Sequence, residues 1–358
     1  MKSAVLRIAD HKGPRRIICV CAVLSLFAVS HPAGQTSVPR FDVDASFPQL
    51  PAGKVLGDVS SVAVDAQDHI WMIHRPRTVA AEQRANAAPP VLEFDASGKY
   101  LAGWGGPAAG FEWPEREHGI YVDPSGSVWV SGNNGYHAAG TPAPPGQSDD
   151  MLLKFTSAGK FLLQIGHSGK STGDDDKQNV MQAADMFFYR PTNELFVADG
   201  YGNHRVAVFD ASKGTFKRSW GANGGPPFNI VHAIRVSNDG LVYVGDRGNQ
   251  RVQVFTTAGE FKQQAMIGAG TNQMQTAAGL AFSPGRDQQY LYVADIGNNQ
   301  INILDRLSMK ILDTFGKNGT APGDFGTIHE IATDSKGNIY TAELRTRRIQ
   351  KLIKGAGR

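Results

Sequence analysis

The sequence predicts an all-β fold, six four-stranded blades closed into a ring as a six-bladed β-propeller, and three observations lead to it. A unit of short strands and polar turns at Ala198–Gly221 (ADGYGNHRVAVFDASKGTFKRSWG) returns in weaker form at Gly245–Gly268 and Ala294–Gly316. Repeats of this length that alternate strands with turns build propellers or solenoids. Six segments share a second pattern: an apolar strand, a turn rich in Asp and Gly, and a strand rich in Val and aromatics. They are Ser60–Arg75, His118–Asn133, Ala184–Gly200, His232–Arg247, Ala278–Ile296 and His329–Leu344. Finally, the last unit stops one strand short, while Phe41–Gly57 stands unassigned ahead of the first. That segment is expected to supply the missing outer strand and close the ring, which removes the free edges of a linear array.

Each hairpin is followed by a third strand, as at Val91–Asp95, Leu152–Phe155 and Ile349–Ile353. All units but the last gain a fourth, ending at Gly105, Gly166, Gly221, Gly268 or Gly316. The reading is one propeller domain over residues 31–358. Residues 1–30 have the layout of a signal peptide: a basic start, an apolar run from Ile17 to Val29, and small residues at Ala28 and Ser30. Cleavage is expected after Ser30, giving a secreted or periplasmic protein with no membrane attachment. Arg15 and Arg16 ahead of the apolar run leave twin-arginine export open beside the general route. Both cysteines, Cys19 and Cys21, lie inside this segment, so the mature chain has no thiol ligand and no disulfide. Without residues 1–30 the chain carries 31 basic and 32 acidic side chains, a balance with no basic footprint for nucleic acid.

The informative residues are those that break the repeat. Two positions before the first core aliphatic of each inner strand, the six units read Ser60, His118, Ala184, His232, Ala278 and His329. Histidine takes every second blade, although the whole chain has only 10. Alternate blades of a six-fold ring stand around a three-fold axis, and the first strand of a blade is innermost. The three imidazoles should therefore converge on the central channel, the open tridentate arrangement that zinc uses in catalytic sites. The competing reading has each histidine simply bonded to a backbone carbonyl at a strand start.

The second strand runs antiparallel to the first, so residues after second strands surround the histidines. These include His74, Arg75, Asn133 onward, Gly200–Gly202 and Arg247. Insertions at Pro76–Pro90 and Asn134–Ser148, rich in Ala, Pro and Gly, occupy the same loop position in blades one and two and read as long mobile loops serving binding. Arg75 and Tyr201 are either rim residues or, beside a metal, a carboxylate fork and a base. Asp199, Asp246, Asp295, Arg205 and Arg251 read as turn and brace residues.

The steps Asn203-His204-Arg205-Val206 and Asn249-Gln250-Arg251-Val252 resemble the NHL-repeat family of six-bladed propellers. With His118-Gly119-Ile120, His232-Ala233-Ile234 and His329-Glu330-Ile331, the chain is similar to the peptidyl-α-hydroxyglycine α-amidating lyase branch of that family. The resemblance implies zinc on His118, His232 and His329, a catalytic Arg75 in Ile73-His74-Arg75, and a catalytic Tyr201 in Asp199-Gly200-Tyr201-Gly202-Asn203. It also implies a structural calcium on Glu330 and the carbonyls of Val62 and Ile120. The implied reaction cleaves the C–N bond of a C-terminal α-hydroxyglycine, giving a peptide amide and glyoxylate, so the partner is a small-molecule or peptide C-terminal substrate. The chain departs from the family at Gly202, where a disulfide cysteine is usual, at Thr327-Ile328 in place of Met-Pro, and at Glu330 in place of Asp.

Two other functions fit the same residues. One is a non-catalytic propeller that binds a peptide, glycan or protein on its loop-rich face. The other is a different hydrolase or lyase on the same scaffold, such as a calcium-dependent, lactonase-like enzyme, which needs an acid-lined channel where this chain offers histidines. The sequence has no nucleotide-binding glycine loop, serine nucleophile elbow or metalloprotease helix motif.

Overall fold

The structure, a computed structural model, describes residues 38–135, 148–222, 226–268 and 275–355. The signal segment and most of the Asn134–Ser148 insertion lie outside the described residues. The six hairpins form as expected, and each grows into a four-stranded antiparallel sheet. From blade one to blade six the inner strands are Asp58–Val64, Glu117–Val122, Asp185–Tyr189, Val231–Val236, Ala277–Phe282 and Ile328–Thr333. The second strands end at Arg75, Gly132, Asp199, Asp246, Asp295 and Glu343.

The expected closure is present. Phe41–Asp44 pairs antiparallel with Arg348–Lys354, so the first described strand is the outer strand of the sixth blade. Only four residues of Phe41–Gly57 are strand; Gln49 and Val55 make single bridges to Lys99 and Ala87. The ring of Phe41 stacks on Phe315 at 5.4 Å and meets the edge of Tyr292 at 5.8 Å, joining the sixth blade to the fifth.

Alternating strands bury one face against each neighbouring blade, so the core divides into six clusters, one at each interface. Trp71, Trp129, Tyr243, Tyr292 and Tyr340, one from each of five second strands, are among the largest fully buried side chains. The brace residues act as read. Arg205 Nε donates to Asp199 at 2.8 Å and Arg251 Nε to Asp246 at 2.7 Å. The same arginines reach the incoming chain at Asn179 O and Pro226 O.

The Pro76–Pro90 insertion differs from the long mobile loop expected from its composition. It forms two 3-10 turns, Pro76–Thr78 and Ala81–Asn86, and buries Val79 and Ala88. Val55 N donates to Asn86 O and Ala88 N to Val55 O, which clamps the loop onto the N-terminal segment. Burial of Val79 and Ala88 and these backbone hydrogen bonds together seat it.

Ring closure generates a stability prediction. Phe41→Ala removes both aromatic contacts across the seam and should cost roughly 2–3 kcal/mol, measured by urea denaturation. A change within about 0.5 kcal/mol, the usual size at uninvolved surface positions, would mean the seam does not depend on that ring.

Candidate metal centre

The position occupied by histidine in alternate blades is a β-bulge. Pairing with the second strand slips between Val59 and Ser61, Glu117 and Ile120, Val231 and Ala233, Ala277 and Gly279, and Ile328 and Glu330. Ser60, His118, His232, Ala278 and His329 are thus skipped by the ladder, and a bulge re-aims the skipped residue. In blade three the equivalent Ala184 sits just ahead of the strand, its N–H bonded to Ala198 O at 2.8 Å.

The alternation then works in pairs. Nδ1–H of His118 donates to Ala184 O at 2.8 Å, that of His232 to Ala278 O at 2.7 Å, and that of His329 to Ser60 O at 2.6 Å. Each histidine thus bonds the carbonyl of the small residue at the same position of the next blade. A carbonyl only accepts, so all three imidazoles carry their proton on Nδ1 and present a bare Nε2 to the axis. Carbonyl bonding and convergence, posed by the sequence as competing readings, are two ends of one arrangement.

The three ligand atoms lie within 4.8 Å of one another. His232 Nε2 is 3.2 Å from His329 Nε2, and the His118 Nε2 stands 2.9 Å from the Tyr201 hydroxyl. That hydroxyl is also 3.1 Å from His232 Nε2. One O–H proton serves three lone pairs, so at least two of the three have no donor among the described residues. Burial pushes each imidazole well below its ordinary pKa; for His118 the charge of His329 follows, and for His232 and His329 that of Arg247. Buried, neutral imidazoles with facing lone pairs, each held at Nδ1 by a backbone carbonyl, form a donor set that fits zinc.

The surroundings are cationic. Tyr201 stands on the turn after the second strand of blade three, where Gly200 presses against blade four: a Cβ there would lie 2.2 Å from Val231 N. That approach brings the Tyr201 hydroxyl to His232. Arg247 Nη1 donates to the same hydroxyl at 3.1 Å, with its guanidinium 5.1 Å from the Tyr201 ring centre. Arg75 is buried and donates Nε to Glu117 O at 2.8 Å, the residue before His118. Burial, then the charge of Arg116, lowers the Arg75 guanidinium to about 10. Neither Arg75 nor Arg247 lies within salt-bridge distance of a carboxylate among the described residues.

Of the remaining expected residues, Glu330 is buried in the channel beside Arg235, and its two oxygens accept no hydrogen bond from the described residues. Burial, and then the charge of Asp185, raises its carboxyl well above the ordinary range. Val62 and Ile120 belong to the cores of the sixth-to-first and first-to-second blade interfaces. His74 is a clamp: Gly57 N donates to its Nδ1 at 3.1 Å and its Nε2–H reaches Pro89 O at 3.0 Å. Sequence reasoning placed Arg247 near the histidines without a role and missed Arg235 altogether. The carbonyl partners were visible as Ser60, Ala184 and Ala278 in the same alignment that found the histidines.

Close blade contact makes Gly119 a testable position. A Cβ there would fall 2.5 Å from Ala184 O, the acceptor of His118, and 2.7 Å from Ser131 Oγ. Gly119→Ala should destabilise by roughly 1–3 kcal/mol through overpacking. Chemical denaturation measures it, and unchanged stability would show that the blades can part without loss.

Comparison with known proteins supports the repeat assignment. The NHL repeat profile matches residues 228–255, the entry to blade four and its first three strands. The chain is 28% identical over 343 residues to NHL repeat-containing protein 3 of Mus musculus, covering 90% of this chain and 87% of that protein. It is 24% identical over 319 residues to a probable peptidyl-alpha-hydroxyglycine alpha-amidating lyase of Caenorhabditis elegans, covering 84% and 83%. A solved streptogramin B lyase superposes with a TM-score of 0.55 at 14% identity, covering 88% of this chain and 98% of that one, which is a likeness of fold. The chain is a six-bladed β-propeller with an NHL repeat match at residues 228–255, and it is similar over most of its length to NHL repeat-containing protein 3 and to a probable amidating lyase.

Proposed function

We propose that the chain is an exported zinc-dependent lyase that cleaves the C–N bond of a C-terminal α-hydroxyglycine, releasing a peptide amide and glyoxylate. The observation that carries this reading is the convergence of three Nε2 lone pairs beside one phenolic hydroxyl. His118, His232 and His329 would hold the zinc, which supplies Lewis-acid polarisation of substrate oxygens.

The other steps belong to side chains. Arg75, whose Nε is fixed on Glu117 O, turns the rest of its guanidinium to the substrate carboxylate, a pairing that benefits from two-point geometry. Tyr201 takes the proton from the substrate hydroxyl, and the amide nitrogen gains a proton as its bond to carbon breaks. The electron pair of the O–H bond becomes the carbonyl of glyoxylate, so protons and electrons balance. Arg247 holds the Tyr201 oxygen in position through the hydrogen bond from Nη1. Export follows from the basic and apolar layout of residues 1–30, with the mature chain beginning after Ser30.

Elemental analysis of the purified mature protein should find about one zinc per chain, the number of catalytic sites the three-ligand set provides. His118→Ala and His232→Ala should lose it. Wild-type protein without zinc would overturn the metal assignment. Incubation with a synthetic peptide ending in α-hydroxyglycine should release glyoxylate.

Tyr201→Phe should keep its zinc and lower kcat by roughly 10²–10⁴-fold, the usual share of a positioned acid or base. Arg75→Lys keeps the charge but loses the fork and should act mainly on KM. Zinc retained with no glyoxylate from wild-type protein would favour a metal-bearing binding propeller instead.

A further inference from the structure

Below the imidazoles the channel holds a second polar layer that the reaction does not use. Asp185 and Glu330 each follow the ring position directly, in blades three and six, which stand opposite one another. Both are almost fully buried. Arg235, three residues after His232 on blade four, lies between them. Its Nη1 donates to Asp185 Oδ2 and to Ile234 O, the latter at 2.6 Å, while its Nη2 lies 3.8 Å from Glu330 Oε2. Asp185 Oδ2 also accepts from Ile234 N at 3.0 Å.

The sequence makes room for this side chain. At the position of Arg235 the other five inner strands carry Ala63, Tyr121, Phe187, Ala281 and Ala332, and all six line a cavity of about 370 Å³ at the far mouth of the channel. Three of those five are alanines, which leave space in the cavity for the long side chain of Arg235.

Calcium takes roughly six to eight oxygens at about 2.3–2.6 Å. Asp185 Oδ2 is engaged by Arg235 and Ile234, Glu330 offers two oxygens, and a guanidinium nitrogen 3.8 Å from Glu330 puts positive charge where an ion would bind. Of the site that the resemblance implies, Glu330 with the carbonyls of Val62 and Ile120, Glu330 is the one charged ligand, and a guanidinium beside it does not fit a calcium there. We propose that Arg235 is a built-in cation in place of that calcium, tying the carboxylates of opposite blades together, so that the ring holds without the ion.

The test needs no enzymatic activity and does not depend on the lyase reading. Mature protein is dialysed into calcium-free buffer with zinc present, then examined for bound ⁴⁵Ca by equilibrium dialysis and for its Tm with and without millimolar CaCl2. Wild-type protein should bind no stoichiometric calcium, and its Tm should be the same in both buffers. Arg235→Met keeps the volume but leaves two buried carboxylates facing each other; its Tm should fall by roughly 10 °C, and added calcium should restore part of the loss. Wild-type protein that binds about one calcium per chain, or melts earlier without it, would overturn the proposal. So would an Arg235→Met protein as stable as wild type. Should that variant fail to fold, the wild-type measurements decide the matter alone.

Discussion

Everything at the centre of this ring depends on one hydrogen bond made three times, from the Nδ1–H of a histidine to the carbonyl of the next blade. A single such bond contributes about 1 kcal/mol net, so its weight in the stability of the fold is small. Its consequence is electronic. It removes the alternative tautomer at His118, His232 and His329 together and leaves three lone pairs collected in a buried space. Lone pairs brought as close as 3.2 Å repel unless something positive lies between them, and the Tyr201 hydroxyl supplies one proton at most. The arrangement is therefore an electron-rich socket held open by the backbone of three neighbouring blades.

Such a socket is only as exact as the ring around it. The acceptor of His329 is Ser60, 269 residues away in sequence, and that bond crosses the seam between the last blade and the first. The seam is closed far from the axis by Phe41–Asp44 on the outer strand of blade six. An outer strand thus closes the same ring whose seam the His329 bond crosses at the axis. The aromatic contacts of Phe41 with Phe315 and Tyr292 link that strand to the fifth blade, so the rim is tied on both sides of blade six.

Much of this was legible in the chain. Strand alternation and Asp/Gly turns located all six hairpins, the incomplete last unit pointed to closure, and the period-two pattern of histidine among small residues pointed to the axis. What stayed hidden depends on cross-ring geometry. The bulges at Ser60, His118, His232, Ala278 and His329 have no residue signature of their own, because a histidine or an alanine sits as readily in a regular ladder. Arg235 looked like one more charged strand residue; its meaning comes from Asp185, 50 positions earlier, and Glu330 on a third blade. The Pro76–Pro90 loop differs from its expectation because composition reports average polarity, whereas its seating rests on Val79, Ala88 and backbone hydrogen bonds with Val55.

The arginines show how one residue type serves two ends in the same channel. Arg235 is buried against two carboxylates, so its charge is already spent inside the protein. Arg75 and Arg247 are also buried, yet each donates a hydrogen bond to a neutral oxygen, Glu117 O and the Tyr201 hydroxyl. Burying an uncompensated guanidinium is costly, and a fold that needed only rigidity would replace it or pair it. Two such groups, both on the histidine side of the channel, make that side a receptor for negative charge. Under the proposed function a substrate carboxylate would supply that counter-charge, and the bare Nε2 atoms would face its reacting oxygen. The polarity of the channel, anion-seeking at one end and neutralised in the next layer, follows from which arginine has found an acid.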